Sequence, residues 1–147
     1  MRLWVDADAC PGLVRDVIVR AAERCAIEAI FVANRMTRLP PSAYVRAVQV
    51  EQGFDVADTH IAESCAPGDL VITADIPLAA RVVEAGATAL NPRGALYTHA
   101  NIRELLSERD FMESLRSAGL ASGGPAALSK SDVQAFAGQL DRFLARR

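Results

Sequence analysis

Apolar positions along the chain fall into short solid runs, separated by stretches in which they recur every three or four residues. Leu3-Trp4-Val5 is the first run, closed by Asp6. Beyond Pro11, where a helix start tolerates proline, Leu13, Val14, Val17, Ile18, Ala21 and Ala22 repeat at helical spacing. Ala29-Ile30-Phe31-Val32-Ala33 reads as a second strand, stopped by Asn34, and residues 35–42, with Pro40-Pro41, read as a loop. Val45 to Val50 alternates as a third strand closed by Gly53, and Ala57 to Cys65 suits a short helix. Pro67-Gly68-Asp69 makes a turn before a fourth strand, Leu70-Val71-Ile72-Thr73, which Asp75 bounds. Ile76 to Ala85 is a further helix capped by Gly86, and Thr88-Ala89-Leu90 is a fifth strand. Strands spaced by helices in this way predict a parallel sheet covered on both faces, an α/β fold.

The last third changes character. Ile102, Leu105, Leu106, Phe111, Met112 and Leu115 mark one helical stretch, with Arg109-Asp110 as the place where it would break. Ser131 to Ala145 is a final amphipathic helix with Val133, Phe136, Ala137, Leu140 and Leu144 on its apolar stripe. Residues 1–147 therefore read as one domain, an α/β core over 1–95 followed by a helical extension over 101–147, with a glycine-rich hinge at 119–125. No internal repeat is visible.

Composition narrows the functional classes. A hydrophobic fraction of 51% and a net charge of −2 exclude a disordered chain and give no basic footprint for nucleic acid. Lys130 is the only lysine, so almost every cation is an arginine, a fork suited to phosphate or carboxylate but also a common compositional bias. Cys10, Cys25 and Cys65 are odd in number and widely spaced, which argues against a disulfide framework. With His60 and His99 they offer no zinc-ligand spacing. Neither an apolar leader nor a membrane-length apolar run is present, so a cytoplasmic protein without a membrane partner is expected.

The chemistry lies in where the acids fall. Asp6 and Asp8 follow the first strand and Asp75 follows the fourth, both at carboxyl-terminal strand ends, the edge where open α/β sheets place their ligands. Asp58 opens the short helix after the third strand, with Asp55 three residues before it. If strand order reverses between strands one and four, these carboxylates face one another across a crevice. Converging acids without a lysine repel, and a hard cation held by oxygens, Mg²⁺ or Mn²⁺, is the natural compensation. Each aspartate alone is equally what a cap or turn demands, and Asp75 before Ile76-Pro77 has the look of an N-cap. Asp6-x-Asp8 is harder to explain so, because a second acid adds nothing to a cap. Asp69 precedes its strand, at the opposite edge, and belongs to the turn. Asn34 and Thr73 end strands and could orient a ligand or water, and Arg35, Arg38 or Arg81 could clamp a substrate backbone. Cys10 near a helix start is a candidate nucleophile, though a small buried side chain is the plainer role.

The segments Trp4-Val5-Asp6-Ala7-Asp8-Ala9-Cys10-Pro11, Phe31-Val32-Ala33-Asn34, Gly53-Phe54-Asp55-Val56-Ala57-Asp58 and Gly68 to Ala79 resemble the YaiI/YqxD family, an uncharacterised bacterial one. So do Asn91-Pro92-Arg93-Gly94, Arg109-Asp110-Phe111 and Gly123-Gly124-Pro125. Val133 departs from the family pattern, which has arginine after Asp132, and this weakens an anion-binding role for the last helix. The resemblance implies a PIN-like three-layer sandwich, a parallel sheet of about five strands in the order 3-2-1-4-5 with additional C-terminal helices. Relatives in that group cut RNA or DNA phosphodiesters with acids that hold Mg²⁺ or Mn²⁺; by likeness Asp6, Asp58 and Asp75 match those acids and Asp8 is an extra one. The leading expectation is a metal-dependent phosphodiesterase, a ribonuclease, with Asp6, Asp8, Asp58 and Asp75 as metal ligands and catalytic acids, and RNA or another phosphate-bearing molecule as substrate. The alternatives are a PIN-like module that binds RNA, a nucleotide or a protein without turnover, and a phosphatase of the haloacid dehalogenase type.

Overall fold

The computed structural model describes residues 1–122 and 126–147. The Gly123-Gly124-Pro125 portion of the expected hinge lies outside them. Among the described residues the chain forms six strands and five α-helices: β1 (Leu3–Asp6), α1 (Gly12–Cys25), β2 (Ala29–Ala33), β3 (Val45–Gln49), α2 (Val56–Ser64), β4 (Leu70–Ile72), α3 (Ile76–Glu84), β5 (Thr88–Leu90), β6 (Leu96–Tyr97), α4 (Ile102–Ser117) and α5 (Lys130–Ala145). One sheet runs in the order β3-β2-β1-β4-β5-β6. Its first five strands are parallel and follow the expected 3-2-1-4-5 order.

Side chains on a strand alternate between faces, and the core divides accordingly. Leu3 and Val5 of β1 join Phe31, Ile72 and Leu90 beneath α1 and α5, where Val14, Ile18, Phe136, Leu140 and Leu144 are buried. Trp4 points the other way, with Ile30, Val32 and Val71, under Ile61 of α2, Leu78 and Val82 of α3 and Ile102 of α4. The result is three layers. Asp6 has the parity of Trp4, so its carboxylate emerges on the α2/α3 side of the sheet.

The expected sheet carries one strand more, β6, antiparallel to β5 and only two residues long, too short to show periodicity. Two expectations need correcting. Arg109-Asp110 does not interrupt α4, which runs unbroken over sixteen residues. Leu13 is 60% exposed, because it lies about 100° around the helix from the buried stripe through Val14 and Ile18. Among the described residues no helix is long and apolar enough to cross a membrane.

The last helix docks through the loop after β5. Gly94 has φ +97°, and a Cβ there would stand 2.7 Å from the backbone carbon of Ala135, so α5 can approach only a glycine. Arg93 Nη1 donates to Asp132 Oδ2 at 2.7 Å, and its other nitrogen reaches the Ala126 carbonyl. A reciprocal cap between Ser129 and Asp132 starts the helix.

Candidate functional site

β2 and β4 flank β1, both parallel to it, and β1 with β4 forms the point where strand order reverses. A cleft of about 210 Å³ opens there at the carboxyl ends of the strands, lined by Asp6, Asp8, Asn34, Gly53, Asp55, Val56, Ala57, Asp58 and Asp75. The four expected aspartates thus line one cleft, and no arginine or lysine is among its lining residues.

Each acid arrives by a different route. Asp6 ends β1 and is buried; Thr73, at the end of β4, donates its hydroxyl to Asp6 Oδ2 at 2.9 Å. A single 3₁₀ turn, Ala7–Ala9, then carries Asp8, whose Oδ2 accepts the Asn34 backbone N–H at 2.8 Å and so ties β1 to the end of β2. Asp75 is the N-cap of α3: its Oδ1 accepts Leu78 N–H at 2.9 Å, with Pro77 in the first turn. Asp6, Asp8 and Asp75 therefore each have one oxygen anchored and the other without a protein partner among the described residues. Asp58 projects from the first turn of α2, where an acid suits the helix dipole.

Charge is crowded in this space. Burial pushes the Asp58 carboxyl up to about 7, and the neighbouring charges of Asp75 and Asp6 and contact with Asp55 push the same way. Asp6 is also raised, chiefly by burial, with Asp75 and Asp8 adding to it and the Thr73 hydrogen bond opposing it. Asn34 Oδ1 is buried without a hydrogen-bond partner among the described residues. Among the described residues, however, no three His, Cys, Asp or Glu side chains stand as a ready-made ligand set for one ion.

The remaining candidates fall elsewhere. Thr73 is buried behind the acids; its hydroxyl also accepts the Asp75 N–H at 3.0 Å, so it links Asp6 and Asp75 rather than lining the cleft. Arg35 and Arg38 are exposed on the loop after Asn34, and neither lines the cleft. Arg81 of α3 donates to Thr59 Oγ1 at 3.3 Å, holding α3 to the helix that carries Asp58. Cys10 is half-buried against the core, its thiol directed at the Pro11 carbonyl, and burial pushes it up to about 12, which removes the thiolate that nucleophilic attack needs. Asp69 does more than turn: it accepts the Trp4 indole N–H at 3.0 Å and the backbone N–H groups of Arg2 and Ala66 at 2.9 Å each.

Sequence reasoning named Asp55 but gave it no part in the site. It lines the cleft from φ +68°, a conformation aspartate tolerates better than most residues, and it gives α2 no side-chain cap. The visible signal was its place in Gly53-Phe54-Asp55, a loop motif three residues ahead of Asp58.

Comparison with known proteins gives the chain its relatives. It is 64% identical over 146 residues to a UPF0178 protein of Dechloromonas aromatica, covering 99% of this chain and 97% of that one. A UPF0178 protein of Halorhodospira halophila is 60% identical over 147 residues, 100% of this chain and 97% of its own. Among solved structures, a mutant of Rae1 (YacP) from Bacillus subtilis aligns with 97% of this chain and 99% of its own, at 22% identity and a TM-score of 0.40. The model of the uncharacterized BCR, YaiI/YqxD family matches residues 4–146, and the chain belongs to that family.

Proposed function

We propose that this protein is a divalent-cation-dependent phosphodiesterase acting on RNA, with Mg²⁺ or Mn²⁺ held by Asp6, Asp8, Asp58 and Asp75. The observation that carries this reading is the convergence of five carboxylates, Asp55 beside the four proposed ligands, in one cleft lined by no cation, crowded enough to raise the Asp58 carboxyl to about 7. The donor set is all oxygen, the chemistry of a hard cation, and the orphaned Asn34 Oδ1 adds a neutral oxygen beside it. The acids do not stand as a ready-made ligand set among the described residues, so cation binding would have to draw them together. When bound, the cation supplies a polarised water and neutralises charge on the phosphate and leaving oxygen. Thr73 and Leu78 N–H then fix the two acids of β1 and α3, while Asn34 N–H fixes Asp8.

The experiment is cleavage of single-stranded RNA with Mn²⁺ by the wild type and by Asp6→Asn and Asp75→Asn variants. Cleavage that depends on Mn²⁺ and is lost in both variants supports the mechanism; wild-type activity in either sinks it. A binding module without turnover is the second reading, favoured by the fact that Arg35, Arg38 and Arg81 all lie outside the cleft lining. Calorimetric Mn²⁺ binding without RNA cleavage would support that one. The phosphatase alternative loses ground, since Lys130 opens α5 and does not line the cleft.

A further inference from the structure

Next to the acidic cleft lies a second cavity of about 460 Å³, within the range of small-molecule sites. The residues on either side of Asp75, namely Ala74 and Ile76, line it, so the two spaces share one short stretch of chain. Ile76 and Leu105 give it apolar walls, and Glu104 and Glu108, one turn apart on α4, give it two carboxylates. Neither glutamate is in an ion pair among the described residues.

Tyr97 completes the lining. It is only 5% exposed, and its phenol oxygen accepts a hydrogen bond from Asn91 Nδ2 at 2.8 Å, Asn91 being itself a lining residue. The phenol's own O–H finds no acceptor among the described residues, although a buried donor without one is costly. Burial, and to a lesser degree the charge of Asp75, keeps that proton on the oxygen. The cavity therefore offers one buried donor, two acceptor-only groups and apolar walls.

We propose that this cavity takes the base of a nucleotide that bears an exocyclic amino group, cytosine being the simplest case. The amino group's two hydrogens serve the two carboxylates, the neighbouring ring nitrogen or carbonyl accepts the Tyr97 proton, and the ring lies against Ile76 and Leu105. Uracil presents one N–H between two carbonyls, whose lone pairs would face the glutamates. The assignment rests on the proposed function only in placing the adjoining phosphate beside Asp75.

Calorimetric titration of the full chain with cytidine and with uridine, both in EDTA, tests it free of any cation. Cytidine is expected to bind at least about tenfold more tightly than uridine, and Tyr97→Phe and Glu104→Ala/Glu108→Ala each to weaken cytidine by about tenfold. Phenylalanine keeps the buried ring, and alanine suits exposed helix positions, so both variants retain the fold. Equal affinity for the two nucleosides, or unaltered cytidine binding in both variants, overturns the proposal. Putrescine binding in place of cytidine overturns it too and makes the cavity an amine site. A separate Mn²⁺ titration keeps the readings apart: selective cytidine binding without a Mn²⁺ response would uphold the base site and sink the cation centre.

Discussion

Thr73 donates its hydroxyl to Asp6 Oδ2 at 2.9 Å and, with the same oxygen, accepts the Asp75 N–H at 3.0 Å. One buried hydroxyl thus sets the relation between the acids of two adjacent strand ends. Thr73→Val keeps the volume and removes both bonds. It should cost about 1–3 kcal/mol in urea denaturation and weaken Mn²⁺ binding about tenfold. Thr73→Ser should restore most of both. A valine variant with unchanged Mn²⁺ affinity would show that Asp6 is placed by something else.

Asp58 makes stability depend on pH in the direction opposite to an ion-paired carboxylate. Its carboxyl titrates at about 7 in the folded protein, because of burial and then the charges of Asp75 and Asp6, and near 4 once unfolded. Between those values the folded state holds the extra proton. Its contribution is therefore complete below about pH 4 and is lost as pH rises through 7. Without divalent cation, the urea midpoint should fall between pH 5 and pH 8 by the equivalent of about 1–2 kcal/mol, allowing for screening of a half-buried group. Asp58→Asn should flatten that fall. A midpoint that rises over the same interval would contradict the assignment.

Cys10 should be inert. With its thiol pushed up to about 12 by burial, almost none is thiolate at pH 8. Iodoacetamide should leave Cys10 unmodified in the folded protein and label it in urea, as read by peptide mass mapping. Rapid labelling of the native chain would reopen a nucleophilic role.

Gly94→Ala tests the docking of α5. The new methyl would meet the Ala135 backbone at 2.7 Å, from a φ that alanine resists. A loss of about 3 kcal/mol or more is expected in thermal unfolding. An unchanged midpoint would mean that α5 does not pack against this loop.

How much of this was legible in the sequence follows from periodicity and its limits. Strands β1, β2 and β4 announce themselves as solid apolar runs because the parallel sheet buries both their faces, while β3, at the sheet's edge, shows only alternation; the residue after each strand marks the ligand edge. That logic brought Asp6, Asp8, Asp58 and Asp75 to one cleft without any distance being known. It could not find β6, whose two residues carry no period, nor place Leu13, whose helical phase depends on where α1 begins. Thr73 looked like a strand-end residue because its role depends on Asp6, sixty-seven positions away. Asp69 reads as a turn residue for the same reason: its partner Trp4 is on the adjacent strand but sixty-five positions away in the chain, and a single sequence shows no pairing between them.

Trp4 is the only tryptophan of the chain. It stands two residues before Asp6 on the same face of β1, and the ring of His60, two residues beyond Asp58 on α2, meets it edge-on at 6.3 Å between centroids. The strand that carries one acid and the helix that carries another thus touch through two rings, one of them fluorescent. Any shift of α2 toward β1 as the cleft fills must alter the indole's surroundings, so the molecule carries its own optical gauge of its acidic site.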